Sequence, residues 1–230
     1  MKFIGNGFIA KNLKKIKSNL NKPYLLYCAG VSNSKSINNK EYQKEIRKIK
    51  NVISKIKKKT ILVYISTTSI NDKNHNRDKY VSNKIKIENL IKDKVDKYII
   101  IRLPQIIGKT KNPNVISNFL FNKIKNRKFF NAWVNSKRNL LDIDDVKKIV
   151  KKILRQKFKK SFTVNIYNSK YTSVISLINI LSKILNIKPT YKRLEFLDKN
   201  KFTKNKEKQN KIIFYTGKNY LKNTLKKYYK

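Results

Sequence analysis

The chain has 230 residues, of which 40% are hydrophobic, and its net charge is +44. This composition excludes disorder, and the length fits one large domain or a domain with a small lobe. No apolar run approaches the roughly 20 residues needed to span a bilayer, and Gly5 and Gly7 interrupt the apolar amino terminus. One cysteine and one histidine exclude a disulfide framework and a Cys/His zinc cluster. We therefore expect a soluble cytoplasmic protein without a metal site.

The positive charge raises the question of nucleic-acid binding, which requires dense Lys and Arg. Fifty of the 57 basic residues are Lys, however, and only seven are Arg, the side chain that base and phosphate recognition favour. The lysines are spread over nearly every segment, and Lys, Asn and Ile are abundant together, as in A+T-rich genomes. We interpret most of the charge as compositional, although it attracts anionic ligands over long distances.

The amino-terminal run MKFIGNGFIAKNL contains the first predicted elements. A short apolar stretch, a glycine turn and a helical pattern follow one another, as in the phosphate-binding turn of a dinucleotide-binding fold. Gly5 permits a sharp turn, Gly7 permits a pyrophosphate to approach the backbone, and Ala10 permits close packing of helix on strand. The alternative is a glycine turn with a structural role only, because G-x-G-x-x-A also arises by chance.

Strand and helix patterns alternate along the rest of the chain. Apolar runs predict strands at residues 1–4, 24–29, 60–66, 98–103 and 162–167. Apolar residues at spacings of three or four predict helices at residues 42–56, 116–124, 146–153, 174–185 and 220–230, with Asp144 and Ser173 starting the third and fourth. Residues 199–211 and the surroundings of His75 are polar and predict loops.

This alternation predicts an α/β protein with a Rossmann-like parallel sheet, a reduced strand count and a small carboxy-terminal substrate lobe. We expect the Rossmann-like dinucleotide-binding domain over residues 1–160, truncated after residue 20. The last strand of the sheet and the small lobe then occupy residues 161–230.

Six motifs in order carry a resemblance to a known family. They are GNGFIA at 5–10, YCAG at 27–30, VYISTTS at 63–69, YVSNK at 80–84, RLPQIIG at 102–108, and the pair LDIDDV at 141–146 with NIY at 165–167. The chain resembles the extended short-chain dehydrogenase/reductases, the NAD-dependent epimerase/dehydratase family, from residue 1 to about 190. The resemblance implies NAD or NADP as cofactor, a nucleotide-sugar substrate in surface polysaccharide biosynthesis, and a homodimer.

The resemblance also implies which residues form the site. It implies Thr68, Tyr80 and Lys84 as catalytic residues. It implies cofactor contacts at Gly5, Gly7, Phe8, Ile9, Cys28, Ala29, Gly30, Ser66, Tyr80, Lys84 and Pro104, and substrate contacts at Thr67, Gln105, Trp133 and Arg138. In this family the lysine also bonds the nicotinamide ribose.

Physical chemistry gives an independent reason for the Tyr80 and Lys84 pair. The two residues are four positions apart, so on a helix they share one face. An ammonium at that distance lowers the pKa of a phenol from its ordinary value near 10. The phenol then exchanges a proton with a sugar oxygen while hydride moves to or from the cofactor. A chance Tyr-x-x-x-Lys is common in a chain with 50 Lys and 13 Tyr, but its position after a Ser/Thr-tipped strand favours catalysis.

Three residues keep a second interpretation. Cys28, inside an apolar run, suits a small buried hydrophobe better than a nucleophile. Trp133 and Arg138 have two equally good interpretations. In the first they line a substrate cleft, where the guanidinium binds a diphosphate; in the second Trp133 is a core residue and Arg138 a surface residue.

The chain departs from the family after its first helix. Family members place two more strands and helices, about 40 residues, before the strand that is here at 24–29, and an acidic residue after the second strand binds the adenosine ribose. Here no Asp or Glu precedes Glu41. We therefore expect the first strand at an edge of the sheet, and Lys11 and Lys35 compatible with the 2′-phosphate of NADP. The alternative function is a non-catalytic scaffold that binds nucleic acid or another polyanion.

Overall fold

The computed structural model describes residues 1–16, 22–31, 38–72, 78–195 and 210–230. Lys35, His75 and residues 199–209 of the predicted 199–211 loop lie outside the described residues. Within the described part, no helix is long and apolar enough to cross a membrane.

Strands and helices alternate from β1 to β4, as the sequence predicts, but beyond β4, among the described elements, strands follow one another directly at β4–β5, β6–β7, β8–β9 and β10–β11. The strands are β1 (Lys2–Ile4), β2 (Tyr24–Tyr27), β3 (Ile61–Thr67), β4 (Tyr98–Leu103), β5 (Gln105–Ile107), β6 (Phe130–Trp133), β7 (Lys137–Asp142), β8 (Phe162–Asn168), β9 (Tyr171–Ser173), β10 (Tyr191–Leu194) and β11 (Asn210–Phe214). The α-helices are α1 (Phe8–Leu13), α2 (Asn39–Ser54), α3 (Lys79–Lys94), α4 (Ile116–Lys125), α5 (Ile143–Arg155), α6 (Val174–Leu185) and α7 (Tyr220–Tyr229). A short 3-10 helix covers Thr68–Asn71.

The chain divides into two compact units, and each is assembled from separate stretches. Unit 1 comprises Met1–Leu103, Asp144–Ile166 and Phe202–Ile212, and unit 2 comprises Pro104–Ile143, Tyr167–Lys201 and Ile213–Lys230. The division therefore differs from the predicted boundary at residue 160, which lies inside unit 1. The reason is strand pairing, because β5, β7 and β9 bond to one another.

Unit 1 contains the parallel sheet that the sequence predicts. Its strand order is β1-β2-β3-β4-β8-β11, and the pairs from β1 to β8 are all parallel. β1 is the outermost strand on its side of this sheet among the described residues, as the missing segment after the first helix predicts. The predicted α/β, Rossmann-like fold class is confirmed.

The apolar core of unit 1 lies between the sheet and helices α2 and α3. Ile49, Ile87 and Ile91 from the helices are fully buried against Leu62 and Ile100 of the sheet. Full burial of each such side chain contributes about 1.5–3 kcal/mol, so the apolar spacing of these helices accounts for their position.

Unit 2 has its own core. It contains the three-stranded sheet β5-β7-β9, the parallel strand pair β6–β10, and helices α4, α6 and α7. Leu177, Ile178 and Leu181 of α6 are fully buried in an apolar cluster with Leu225 of α7. Ser173 caps α6 as predicted, since its hydroxyl accepts a hydrogen bond from Ser176 N.

Several predicted boundaries differ from those in the structure; strand β2, for example, ends at Tyr27 and not at residue 29. The predicted loop at 199–211 extends too far, because Asn210 and Lys211 begin β11. Helix α2 ends at Ser54, so Ile56 of the predicted stripe lies beyond it. Helix α5 begins at Ile143, one residue before the predicted Asp144.

Candidate functional site

The glycine turn after β1 packs directly on the chain segment after β2. Gly5 has φ of +122°, and a Cβ on it would lie 2.6 Å from the Cys28 carbonyl oxygen and 3.0 Å from Ala29 N. Cys28 N also donates to Ile4 O at 2.8 Å. Both the backbone conformation and the close approach therefore require glycine at residue 5.

Gly7 differs from Gly5, because its Cβ position faces open space. Apart from Gly7 and its two chain neighbours, no heavy atom of the described residues lies within 4 Å of that position, and Gly7 serves as the N-cap of α1. α1 has no acidic residue in its first turn; Phe8 and Ile9 are half-buried, and Ala10 is fully buried as the predicted helix–strand contact requires. The turn thus presents an open, uncharged backbone surface.

Gly30, in the segment after β2, lies against Lys84 of α3. A Cβ on Gly30 would be 2.2 Å from Lys84 Nζ and 2.8 Å from Glu45 Oε1. The short stretch at residues 28–31 therefore touches the Gly5 turn at its beginning and the Lys84 ammonium near its end. The structure brings these two predicted parts of the site to one place in unit 1.

Lys84 is buried in an ion pair with a residue that belongs to none of the sequence motifs. Its Nζ donates to Glu45 Oε1 at 2.9 Å and to the Tyr64 hydroxyl at 3.2 Å, and Lys84 is only 3% exposed. Burial by itself disfavours the ammonium, but Tyr64 and Glu45 outweigh it and raise the pKa of Lys84 above its usual range. Lys84 is therefore a cation at neutral pH.

Glu45, on α2, is 2% exposed and makes several hydrogen bonds. Besides Lys84, its carboxylate accepts from Val31 N at 2.9 Å and from Asn83 Nδ2 at 3.1 Å. Tyr64 Oη lies 3.4 Å from Glu45 Oε1. Burial raises the pKa of Tyr64, and the Lys84 ammonium opposes that shift only in part. One carboxylate thus joins α2, α3, β3 and the segment after β2.

Tyr80 lies in the first turn of α3, the helix that also carries Lys84, as the sequence predicts. Its ring is half-buried, and the Lys84 Nζ lies 5.6 Å from the ring centroid. This distance is within the range of cation–π contacts. The two residues share one face of α3, one turn apart.

The three predicted hydroxyls at the end of β3 are in different environments. Ser66 Oγ donates to Glu88 Oε1 at 2.6 Å, and Ser66 is buried. Thr67 Oγ1 accepts from Ser69 N at 3.2 Å and so caps the 3-10 helix. Thr68 Oγ1 is 3.4 Å from Leu103 O, a long hydrogen bond. Thr68 has the hydroxyl with the weakest internal partner of the three.

A second buried ion pair lies on the same helix as Lys84. Glu88 accepts from Arg102 Nη2 at 2.6 Å and from Arg102 Nε at 2.9 Å, and Glu88 is 1% exposed. Arg102 Nη1 also donates to Asn71 Oδ1 at 3.3 Å, and Asn71 Nδ2 donates to Asn165 Oδ1 at 2.8 Å. This network links α3 to β4, β8 and the 3-10 helix.

Sequence reasoning missed Glu45 and Glu88. Both have a detectable signal, because each lies within an apolar stripe of its helix. Glu45 falls between Tyr42 and Ile49, and Glu88 adjoins Ile87, with helical spacing toward the buried side. A carboxylate at such a position needs a buried cation or several donors, which directs attention to Lys84 and Arg102.

Cys28 is half-buried one residue beyond β2, next to Gly5. Burial raises the pKa of its thiol to about 12, which keeps it protonated at neutral pH. This environment agrees with the interpretation of Cys28 as a small hydrophobe, since a thiol nucleophile requires a lowered pKa.

The remaining predicted residues belong to unit 2. Pro104 is buried, and Gln105 is exposed at the start of β5, opposite Leu140 of β7. Trp133, at the end of β6, is 44% exposed, so it is not a core tryptophan. Arg138 is half-buried on β7 and donates to Lys137 O at 3.2 Å.

Comparisons with known proteins place the fold. No protein-family model matches the chain, and no curated protein matches it. RMD from Pseudomonas aeruginosa, solved with NADPH, aligns with a TM-score of 0.70 at 12% identity, over 97% of this chain and 95% of its own. The dTDP-4-dehydrorhamnose reductase of Bacillus anthracis, solved with NADP, gives 0.68 at 15% identity, over 99% of both chains.

A third solved structure extends the comparison to epimerases. The UDP-glucuronic acid 4-epimerase of Bacillus cereus, solved with UDP-glucuronic acid and NAD, gives a TM-score of 0.62 at 18% identity. The alignment covers 83% of this chain and 66% of the epimerase. The chain is thus a Rossmann-like α/β protein. The solved proteins of this fold include a reductase with NADP and an epimerase with NAD, and the Rossmann-like fold that the sequence resemblance implies is confirmed.

Proposed function

We propose that the chain binds NAD or NADP at the carboxyl edge of the unit 1 sheet and acts on a nucleotide-activated sugar as an oxidoreductase, epimerase or dehydratase. The observation that carries the proposal is the meeting of the Gly5 turn and the Lys84 ammonium at residues 28–31. Proteins of this fold hold NADPH, NADP or NAD, and the epimerase also holds UDP-glucuronic acid. Surface polysaccharide biosynthesis is the pathway we propose for it.

The glycine turn fits the diphosphate of a dinucleotide. The open space at Gly7 lets an anion approach the backbone, and the first turn of α1 has no carboxylate to repel it. Gly5, Cys28, Ala29 and Gly30 form the adjoining backbone surface. Because β1 is the outermost described strand on this side, the described sheet has no strand beyond β1 that would hold the adenosine end.

Each catalytic residue has one task in the proposed mechanism. The bound nicotinamide supplies the hydride acceptor or donor. Tyr80 exchanges a proton with the sugar oxygen, and Thr68 bonds the same oxygen in place of its long bond to Leu103. Lys84 places a buried positive charge 5.6 Å from the centre of the Tyr80 ring. Its burial and two internal partners favour this electrostatic task over direct bonding to the nicotinamide ribose.

Paired variants at Gly7 test cofactor binding. Asp and Asn are both favourable N-caps and similar in size, so Gly7→Asp and Gly7→Asn keep α1 and differ mainly in charge. We expect Gly7→Asp to weaken NADH binding at least tenfold more than Gly7→Asn, because the carboxylate repels the diphosphate. Cofactor fluorescence measures both affinities. Equal affinities of the two variants and the unaltered protein would place the diphosphate elsewhere.

Removal of one hydroxyl tests the chemistry. Tyr80→Phe keeps the ring beside Lys84, so we expect NADH affinity within about threefold of the unaltered protein and turnover lowered by a factor of 10² or more. Turnover is measured as a change in nicotinamide absorbance, or as product formation, with a panel of UDP- and dTDP-sugars. Retained turnover would remove Tyr80 from the mechanism.

A basic cavity in unit 1 favours a second candidate function, binding of a phosphate-rich ligand. The cavity, of about 780 Å³, lies at the amino ends of strands β2, β3, β4 and β8. Gly5 follows the carboxyl end of β1, so the cavity and the glycine turn lie at opposite ends of the parallel strands. The lining of the cavity includes six lysines and two aspartates: Lys22, Lys59, Lys92, Lys97, Lys159, Lys160, Asp93 and Asp96. The negative end of α3 is also at the amino end of these strands and offsets part of the lysine charge.

Charge reversal separates this candidate from dinucleotide binding. We expect Lys159→Glu/Lys160→Glu to weaken binding of inorganic polyphosphate several-fold, with a steep salt dependence, while Gly7→Asp does not. Binding that is unchanged in the Lys159/Lys160 variant would exclude this cavity as the site.

A further inference from the structure

Glu45 holds a position that the sequence motifs do not explain. It bonds the buried Lys84 ammonium, and its other oxygen accepts from Val31 N in the segment next to Gly30. Its carboxylate therefore contacts both parts of the candidate site, the lysine and the stretch at residues 28–31.

We propose that Glu45 is a positioning residue, which keeps Lys84 cationic beside Tyr80 and holds residues 28–31 in place for dinucleotide binding. Its effect on a cofactor rests on the proposed function. Its effect on the charge of Lys84 does not, because that follows from the buried ion pair itself.

The surroundings of Lys84 support this assignment. The titratable and polar groups facing its ammonium are Glu45 from α2, Tyr64 from β3, Tyr27 and Cys28 from β2 and its end, and Tyr80 and Asn83 from α3. Burial raises the pKa of Tyr27 to about 12 and that of Cys28 to about 12. Glu45 is therefore the anionic partner of Lys84 at neutral pH among the described residues.

Loss of this anion has a defined pH signature. With Glu45 present, the pKa of Lys84 is raised, so its contribution to stability is complete below the unfolded-state pKa near 10.4 and is lost only above it. In Glu45→Gln the buried ammonium loses its anionic partner, while Tyr64 stays an uncharged phenol because burial raises its pKa, so we expect the pKa of Lys84 to fall below that of the unfolded chain. The unfolded state then binds more protons, so the stability deficit of the variant shrinks as pH rises.

Thermal unfolding from pH 6 to pH 9.5 tests the charge effect. We expect Glu45→Gln to lower Tm by roughly 10 °C at pH 6, and the deficit to fall by at least half by pH 9.5. The matched control is Glu41→Gln, an exposed glutamate one turn earlier in α2, which should follow the unaltered protein at every pH. A deficit that is independent of pH, or no deficit, would overturn the charge effect.

A double variant separates stability from function. Glu45→Gln/Lys84→Met removes both charges, so we expect Tm at pH 6 to return to within a few degrees of the unaltered protein. NADH affinity at pH 7 should be about tenfold weaker in Glu45→Gln and should stay weak in the double variant, while Glu41→Gln leaves it unchanged. Recovery of NADH affinity in the double variant would overturn the positioning role.

The two proposals fail in distinguishable ways. If the unaltered protein binds NADH and Glu45→Gln binds it equally well, the positioning role fails and the proposed function stands. If the unaltered protein binds no NADH, the proposed function fails and the role of Glu45 at a cofactor site fails with it. Unfolding across pH still decides in that case whether Glu45 fixes the charge of Lys84.

Discussion

The interiors of the two units differ in the charges that they bury. Unit 1 holds the ion pairs Lys84–Glu45 and Arg102–Glu88, and none of the four side chains is more than 8% exposed. The described core of unit 2 is apolar, with neutral hydrogen bonds such as Tyr229 Oη to Ser117 Oγ at 2.8 Å. Its described ion pair, Lys227–Asp142, buries the aspartate side chain to 8% exposure but leaves the lysine side chain 45% exposed.

This difference indicates separate roles for the two interiors. A buried ion pair gives little net stability compared with apolar residues of the same volume, because desolvation offsets the attraction. Each ion pair of unit 1 has one member on α3, where Lys84 and Glu88 are one turn apart on the helix that also carries Tyr80. We infer that unit 1 retains them to fix this helix, whereas unit 2 is stabilised by apolar packing.

The largest expected effect comes from breaking the Arg102–Glu88 pair. Glu88→Gln leaves the buried guanidinium without its anion, and we expect a loss of about 3–5 kcal/mol in the free energy of unfolding. Urea unfolding measures it. The control is Asp144→Asn, whose pair with Lys147 is part-exposed at 39% and 26% and contributes less than about 1 kcal/mol. Equal losses for the two variants would contradict the proposed role of the buried charges in unit 1.

The matching test in unit 2 removes apolar volume. Leu177 is fully buried in α6, so Leu177→Ala should cost about 2–5 kcal/mol. Because no charge is involved, this loss should be the same at pH 6 and pH 9.5, unlike that of Glu45→Gln. Ile213→Ala, at a 47% exposed site, is the control and should cost far less. A pH-dependent loss at Leu177 would show that unit 2 also depends on a buried charge.

Five of the six strands in the unit 1 sheet were predictable from the sequence, whereas β11 and several strands of unit 2 were not. Strand β4 coincides with the predicted run at 98–103, because both of its faces are covered and its residues are almost all apolar. β10, by contrast, has Lys192 and Arg193 exposed between half-buried ends, so it has no apolar run to detect. Its pairing with β6 depends on tertiary contacts that the local pattern does not encode.

For the candidate site, the sequence predicted the glycine turn and the helix that carries Tyr80 and Lys84, but it did not predict the carboxylates that pair with the buried cations. The Gly5 turn and the Tyr80 and Lys84 spacing follow from local geometry. The partners Glu45 and Glu88 are 39 and 14 residues away from the cations that they bond, and a glutamate on a helix is ordinarily exposed. Sequence periodicity alone gives no means of pairing them.

A smaller effect is expected at the start of α6 in unit 2. The Ser173 hydroxyl accepts from Ser176 N at 3.1 Å, so Ser173→Ala should lose about 1 kcal/mol. Ser173→Asp is the matched variant, because aspartate caps equally well and its charge interacts favourably with the helix dipole. Urea unfolding of both should therefore separate them by at least this amount. Identical stabilities would show that the cap contributes nothing.

The smallest effect is expected within β2, where two buried tyrosines form a matched pair. Tyr24 Oη donates to Leu154 O at 2.8 Å, whereas Tyr27 Oη has no hydrogen-bond partner among the described residues. Tyr24→Phe should therefore cost about 1 kcal/mol. Tyr27→Phe keeps the ring contact with Tyr64 at 6.0 Å and removes an unpaired hydroxyl, so its stability should be unchanged or up to about 1 kcal/mol higher. If Tyr27→Phe costs as much as Tyr24→Phe in urea unfolding, the Tyr27 hydroxyl has a partner in solution, and the polar interior beside Lys84 extends to β2.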